Sequence, residues 1–340
     1  MVLGAGVTGL AAGVATGCPV YEARPGPGGL CGSYYVRPDG QRLDGPPPDG
    51  EAYRFEVGGG HWIFGGDHET LAWLDGLVPS RAYERRASVA IGAERHRVGY
   101  PIQHHLAGLG PELADRALAE ITERAIERQD GAAPTMREWL HDQFGPTLAE
   151  VFFDPFHERY TAGLWDRIVA QDPGKSPLSL DAVRAGAVGE RPQGGYNQRF
   201  RYPVDGLDAL VRAMAERCDV RYGCRAVSID PVARVVGFEG GGQVGYERAI
   251  STLPLVDAVR LAGVEPASEP DPYTSVLVVN VGATPGPRLG DDHWVFVPDA
   301  RSGFHRFGVY SNVDESFLPA SSRSSAVHGA ARRTSIYVER

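Results

Sequence analysis

Short apolar runs cut by glycine open the chain. Met1-Val-Leu runs into Gly4-Ala-Gly6-Val-Thr-Gly9, a short apolar helix is predicted over Leu10–Ala15, and a second run, Pro19-Val-Tyr-Glu22, ends in an acid. Strand, glycine turn, helix and strand in that order predict a dinucleotide-binding unit. Residues 37–52 are rich in Pro, Gly and Asp and read as a surface loop. Ala87–Gly92 and His96–Tyr100 alternate and predict a hairpin leading into Pro101-Ile-Gln-His104-His105. The pattern then turns helical. Leu113, Ala117, Leu118 and Ile121 share one face of a helix over 111–128. Thr135-x-x-Glu138 is a capping box opening a helix to Phe144, and a third helix is predicted over 147–160 with a break at Pro155. After about residue 185 the period changes again. An amphipathic helix over 207–217 precedes short strands at Val220–Gly223, Ala226–Ile229, Val235–Phe238, Val244–Glu247 and Ile250–Pro254. Further strands are expected at Tyr273–Gly282, Trp294–Val297, Arg306–Tyr310 and Thr334–Arg340.

Composition narrows the class. The 340 residues are 42 % hydrophobic and 23 % charged, enough apolar surface for one large or two moderate domains. A scattered net charge of −9 argues against a nucleic-acid binder but leaves room for a local basic pocket for one phosphorylated small molecule. No run reaches 18 apolar residues and no signal peptide is evident, so no membrane span is expected. Cys18, Cys31, Cys218 and Cys224 form no CxxC pair, which excludes a zinc ribbon and fits a reduced, cytoplasmic protein.

Candidate chemistry concentrates in the glycine-rich segments. Gly4 would make the tight turn, Gly6 the close approach to a pyrophosphate and Gly9 the helix–strand packing, with Glu22 on the ribose hydroxyls. A second glycine turn follows in Arg24-Pro-Gly-Pro-Gly28-Gly29. In Gly58-Gly-Gly60-His61-Trp-Ile-Phe64-Gly-Gly66, five glycines around His61 suggest a backbone-lined pocket wall, a core histidine being the rival.

GxGxxG, the acidic strand end and Arg24-x-x-x-Gly28-Gly29 together resemble the FAD-binding signature of the glutathione-reductase-type flavoproteins. Gly59-Gly60-His61-Trp-Ile-Phe64, Tyr160-Thr-Ala-Gly-Leu-Trp165-x-Arg167 and Tyr202-Pro-Val-x-Gly206 resemble the UDP-galactopyranose mutase group within them. The resemblance implies an α/β fold: a Rossmann-like FAD/NAD(P)-binding domain (1–100 and 206–260), a helical insertion (101–190) and an antiparallel β-sheet substrate domain (191–205 and 261–340). It implies an isomerase that interconverts pyranose and furanose forms of a UDP- or GDP-linked hexose, with reduced FAD and no net redox. It places Gly4, Gly6, Gly9, Glu22, Arg24, Gly28, Gly29 and Gly60 at the cofactor. Arg306, in Phe304-His305-Arg306, falls on the diphosphate, with Arg199 or Arg201 as the second arginine and His61 against the isoalloxazine. Trp165 and Arg167 lie toward the nucleotide, and Tyr160, Tyr196, Tyr202 and Tyr310 are candidate partners of sugar and phosphate. Core packing is the rival for Trp165 and the tyrosines, an aromatic-stacked structural role for Arg306. A homo-oligomer is compatible with the family.

Two departures keep alternatives open. Twelve residues separate Gly9 from Glu22, against the usual spacing of about 20, which predicts a first helix of two turns at most. The further C-terminal glycine-containing strand and helix usual in this superfamily is not present before Arg340, so either the chain is truncated or its FAD site is incomplete. A divalent cation (Mg²⁺ or Mn²⁺) on the diphosphate, without FAD, is therefore a second expectation. Asp67, Asp154 and Glu158 are candidate carboxylates for it. The runner-up function is an FAD-dependent oxidoreductase of the amine-oxidase or protoporphyrinogen-oxidase type. A non-catalytic, flavoprotein-like binding module is the third.

Overall fold

The computed structural model describes residues 1–43, 45–127, 135–170, 178–190, 197–266, 268–269, 271–299, 301, 303–323 and 332–340. The chain is mixed α/β and forms two compact units, Met1–Ala82 with Arg201–Pro272, and Tyr83–Phe200 with Tyr273–Arg340.

The first unit is built on a four-stranded parallel sheet. Val2–Leu3 lies between Val20–Tyr21 and Ile250–Ser251, and Val220–Arg221 flanks Val20–Tyr21. Strands of two residues hold because both faces are covered, as parallel sheets require. On one face, the helices Val7–Thr16 and Leu207–Ala215 close a core of Val2, Ala5, Leu10, Val20, Leu210, Val211 and Met214. On the other face, the antiparallel strands Ala226–Asp230, Val235–Phe238 and Gln243–Gly245 supply Val236 and Phe238. These pack against Met1, Leu3 and Tyr21, with the Tyr21 and Phe238 rings stacked at 4.9 Å.

The first helix is longer than its sequence suggests. Val7–Thr16 has 10 residues, nearly three turns at about 3.6 residues per turn. It starts straight after Gly6, so Gly9 and Gly13 lie inside it rather than before or between helical segments. Another difference falls in 33–56. Ser33–Val36, Arg42–Leu43 and Tyr53–Glu56 form an antiparallel sheet, of which Arg42–Leu43 lies inside the 37–52 segment that composition marks as loop. All four residues of Tyr53–Glu56 are buried, so the two-residue alternation of a half-exposed strand is missing there.

The second unit holds a six-stranded sheet in the order Val278–Ala283, Thr334–Glu339, Arg306–Val309, Trp294–Phe296, Ala87–Ile91, His96–Gly99. The predicted hairpin forms, Val89 opposite Val98. It belongs to this sheet, where Ala87–Ile91 runs parallel to Trp294–Phe296. The helices of this unit include Pro111–Glu127, Met136–Leu148, Asp154–Tyr160 and Leu180–Ala187. The capping box forms, with Thr135 and Glu138 exchanging bonds. The break expected at Pro155 lies instead at Gly145, whose φ of 76° interrupts the helix before Pro146. The Glu120 carboxylate accepts from the Thr147 backbone N–H (2.8 Å) and hydroxyl (2.7 Å), so it caps the restarted helix. Pro155 sits in the first turn of Asp154–Tyr160, directly after the π-helical turn Ala149–Phe153, and the backbone stays helical through it.

Candidate functional site

A glycine cradle forms at the C-terminal edge of the parallel sheet. Gly4 has φ +98°, a conformation that a side chain would strain. A Cβ on Gly9 would lie 1.9 Å from the Gly4 carbonyl oxygen, and one on Gly29 would lie 3.2 Å from Gly6 Cα. The second turn docks onto the first, with the Gly28 N–H donating to the Ala5 carbonyl at 2.8 Å. Gly6 caps the helix Val7–Thr16 without a side-chain hydrogen bond, and no acid occupies its first turn. Its leading N–H groups and positive dipole end suit an anion such as a diphosphate.

Glu22 ends the second strand beside this loop. One carboxylate oxygen accepts from the Ala5 N–H (2.7 Å) and the other from the Arg24 N–H (2.8 Å). Each oxygen keeps acceptor capacity for a hydroxyl. Glu22 also lines a cavity of about 320 Å³ with Leu3, Gly4, Ala226, Leu253 and Arg260. Its walls mix the apolar Leu3, Leu253 and Leu261 with the charged Glu22, Asp257 and Arg260, and it reaches the cradle at Gly4. The shortened Gly9–Glu22 connection therefore still delivers the acid to the cradle. Arg24 is exposed and contributes its backbone. Gly60 and His61 lie in the adjacent turn, where His61 is exposed and its Nδ1 is 3.4 Å from the Gly59 carbonyl. Arg201 pairs with Asp75.

Tyr202 belongs to this unit but cannot offer its hydroxyl to a sugar. It is 1 % exposed and donates to the buried Glu56 carboxylate, under the edge of Trp62. Burial pushes the Glu56 carboxyl up, against Arg54 and the hydrogen bonds from Tyr202 and Ser33. No spacing rule pointed to Glu56, because nothing in Tyr-Arg-Phe-Glu marks a carboxylate destined for the interior.

The remaining candidates lie in the second unit. Tyr160 is half-exposed, stacked on Phe156 (5.3 Å) and edge-on to His305 (5.4 Å). Arg306 is held by Glu339, with Nε at 2.6 Å and Nη2 at 2.5 Å from the same carboxylate oxygen. Burial works to raise the Glu339 carboxyl, but the flanking His305 and Arg306 hold it below the usual glutamate range. Tyr160, His305 and Arg306 are thus brought together. Trp165 is a core residue, 3 % exposed, stacked on His157 (5.6 Å) with its indole N–H donating to Glu158 at 3.2 Å. It stacks on protein, which removes it as a nucleotide platform. Arg167 is exposed. Tyr310 is fully buried and donates to Asn280 (3.1 Å), another packing tyrosine. Arg199 pairs with Glu84 at 2.9 Å on the surface. Tyr196 lies outside the described residues.

The carboxylates considered for a divalent cation are engaged elsewhere. Asp67 caps the helix His68–Asp75, Asp154 pairs with His141 at 2.8 Å, and Glu158 takes the Trp165 indole. Among the described residues no three His, Cys, Asp or Glu side chains gather as a metal site, so the cation alternative has no ligand set here. Nor is any described helix long and apolar enough to cross a membrane.

The fold and the cradle define an α/β protein of the dinucleotide-binding type. The profile of the flavin containing amine oxidoreductases matches residues 8–293. The chain belongs to that family. Among solved structures, reduced UDP-galactopyranose mutase is similar over 99 % of this chain and 73 % of that one, at 23 % identity and a TM-score of 0.82. A protein assigned as a protoporphyrinogen oxidase from Exiguobacterium sp. 255-15 gives 0.63 at 16 % identity, covering 99 % and 76 %. A putrescine oxidase redesigned in its cofactor binding gives 0.53 at 17 %, covering 99 % and 74 %.

Proposed function

We propose that the protein is an FAD-dependent mutase of nucleotide-diphosphate hexoses, UDP- or GDP-linked, contracting a pyranose ring to a furanose without net redox change. The observation that carries this reading is the likeness in fold to reduced UDP-galactopyranose mutase, TM-score 0.82, well above the 0.63 and 0.53 of the two oxidase-named structures. FAD would be held by Gly4, Gly6, Gly9 and the leading N–H groups of Val7–Thr16 on its diphosphate, and by Glu22 on its ribose. When bound and reduced, it supplies a nucleophilic nitrogen toward the anomeric carbon.

The chain's own residues do the rest. Arg306 meets the charge that develops on the departing diphosphate, and a guanidinium fixed by Glu339 needs no reorganisation to do so. Tyr160, half-exposed beside it, offers a ring and a hydroxyl to the nucleotide or sugar. Arg199 or Arg201 would supply a second cation, and each gives up a surface carboxylate partner to do so. The test is one assay. The purified protein is scanned for flavin absorbance and incubated with UDP- and GDP-hexoses, with and without dithionite. Ring contraction that requires dithionite supports the mutase. Flavin reduction by an amine or a porphyrinogen, with oxygen uptake and no ring contraction, replaces it with the oxidase reading, which the family profile favours.

A further inference from the structure

Glu56 is fully buried, 0 % exposed, in the strand Tyr53–Glu56. Its carboxylate accepts from the Ser33 hydroxyl at 2.7 Å and from the Tyr202 hydroxyl, and Arg54 Nε lies 3.8 Å away. An apolar side chain of similar volume would fill such a position at less desolvation cost. The position of its partners explains the carboxylate.

Ser33 directly follows the turn Gly28–Gly32, and that turn is fixed at both ends. At one end, the Gly28 N–H donates to the Ala5 carbonyl, and Gly29 lies so near Gly6 that a Cβ on it would stand 3.2 Å from the Gly6 Cα. At the other, the Val57 N–H donates to the Gly32 carbonyl (2.8 Å) and the Gly58 N–H to the Leu30 carbonyl (3.2 Å). The Gly59 N–H returns to the Glu56 carbonyl (3.3 Å). Backbone hydrogen bonds therefore join the loop Gly4–Gly6 to the turn Gly28–Gly32 and that turn to Val57–Gly58, and Ser33, opposite Glu56 in the antiparallel pair, adds the bond from its hydroxyl to the buried Glu56 carboxylate. A second buried carboxylate, Asp208, abuts the same network through the Tyr35 hydroxyl (3.3 Å) and Arg212.

We propose that Glu56 is a positioning residue for the dinucleotide: its carboxylate, through Ser33, clamps the Gly28–Gly32 turn against the Gly4–Gly6 loop in the conformation that accepts FAD. This rests on the flavoprotein reading and is independent of the choice between mutase and oxidase. Glu56 touches no ligand, so its removal acts on cofactor affinity through the turn.

The test uses the full-length protein, stripped of flavin and titrated with FAD well below the melting temperature of each variant. Glu56→Gln keeps the shape but turns an amide N–H₂ toward a hydroxyl donor. It is expected to weaken FAD binding at least tenfold and to alter the visible circular dichroism of the bound flavin. Ser33→Ala is expected to weaken binding several-fold, and the double variant no more than Glu56→Gln alone, because both act on one contact. Arg37→Ala, which removes an exposed ion pair with Asp49 in the same unit, leaves affinity unchanged. A Glu56→Gln protein that melts lower but binds FAD within twofold of wild type overturns the proposal and leaves Glu56 a purely structural residue. If that variant does not fold, Ser33→Ala decides, and unchanged affinity there overturns it equally. Wild-type protein that takes up no FAD refutes the flavoprotein reading itself, and the proposal falls with it.

Discussion

Gly9→Ala sets two magnitudes against each other. In an exposed helix interior, alanine is better than glycine by about 1 kcal/mol. Inside Val7–Thr16 the new methyl would sit 1.9 Å from the Gly4 carbonyl oxygen and 3.0 Å from the Thr252 hydroxyl oxygen. Real contacts of this kind stay beyond 3.0 Å, so the Gly4 loop must retreat by about 1 Å in a close-packed site. That loop is tied by the Gly4 N–H to Tyr21 (2.8 Å) and by the Thr252 hydroxyl to Leu3 (2.9 Å). Overpacking of this sort costs about 1–3 kcal/mol, which outweighs the propensity gain. For a unit of this size each kcal/mol lowers the melting temperature by about 2–4 °C, so a fall of several degrees is expected by calorimetry. Displacing one backbone N–H from a phosphate forfeits about 1.5–3 kcal/mol, or roughly 10- to 100-fold in FAD affinity by fluorescence titration. Gly6→Ala separates the two effects. A Cβ there meets nothing within 4 Å, so stability should hold within about 0.5 kcal/mol while FAD affinity falls, because the open space belongs to the ligand. A Gly9→Ala protein that melts above wild type and binds FAD normally would refute the close approach.

The other predictions concern the second unit. Trp165→Ala is expected to destabilise by about 3–5 kcal/mol in urea melts, whereas Tyr160→Ala, at an exposed ring, should leave stability nearly unchanged and raise KM for the nucleotide sugar. The reverse pattern would return Trp165 to the binding surface. Arg306→Ala should lower kcat for ring contraction by at least a hundredfold and abolish tight binding of nucleotide diphosphates; unchanged affinity would make Arg306 a structural partner of Glu339. Burial holds His104, His157 and His293 at about 4 in the folded protein, against about 6.5 unfolded. Below pH 6.5 the unfolded chain takes up protons that the folded one refuses, so this stability is complete above 6.5 and is lost as pH falls toward 4. Each histidine contributes at most about 1.4 kcal/mol per pH unit. Urea midpoints from pH 7 to 4.5 should therefore drop steeply, and His157→Gln should flatten the slope by about one proton. A profile flat across that range would contradict the burial of these rings.

The parts legible in sequence were those whose chemistry is local. Gly4, Gly6, Gly9 and Glu22 lie within one strand–helix–strand unit, and each residue type is dictated by a neighbour a few residues away. The capping box at Thr135 and the hairpin at Ala87 are local in the same sense. For Trp165, Tyr202 and Tyr310 the structure favours the packing alternative for one shared reason: an aromatic hydroxyl or indole N–H looks the same in sequence whether it meets a sugar or another side chain, here Glu158, Glu56 and Asn280. For Tyr202 the deciding partner is Glu56, 146 positions away. Glu56 itself was silent, because burial of an acid depends on donors brought from Ser33, Arg54 and Tyr202 by the fold. Arg306 shows where this distinction bears on function. Its pairing with Glu339 satisfies both the structural and the binding role, since Nε and Nη2 are spent on one oxygen while a guanidinium carries five N–H donors. The ion pair fixes the group and leaves donors over. An arginine braced in this way is the arrangement that recognition of a diphosphate calls for, so pairing alone does not argue against a site. Its removal leaves the buried Glu339 unpaired and costs stability in either case, so loss of nucleotide affinity measured while the variant is still folded is what separates the two roles.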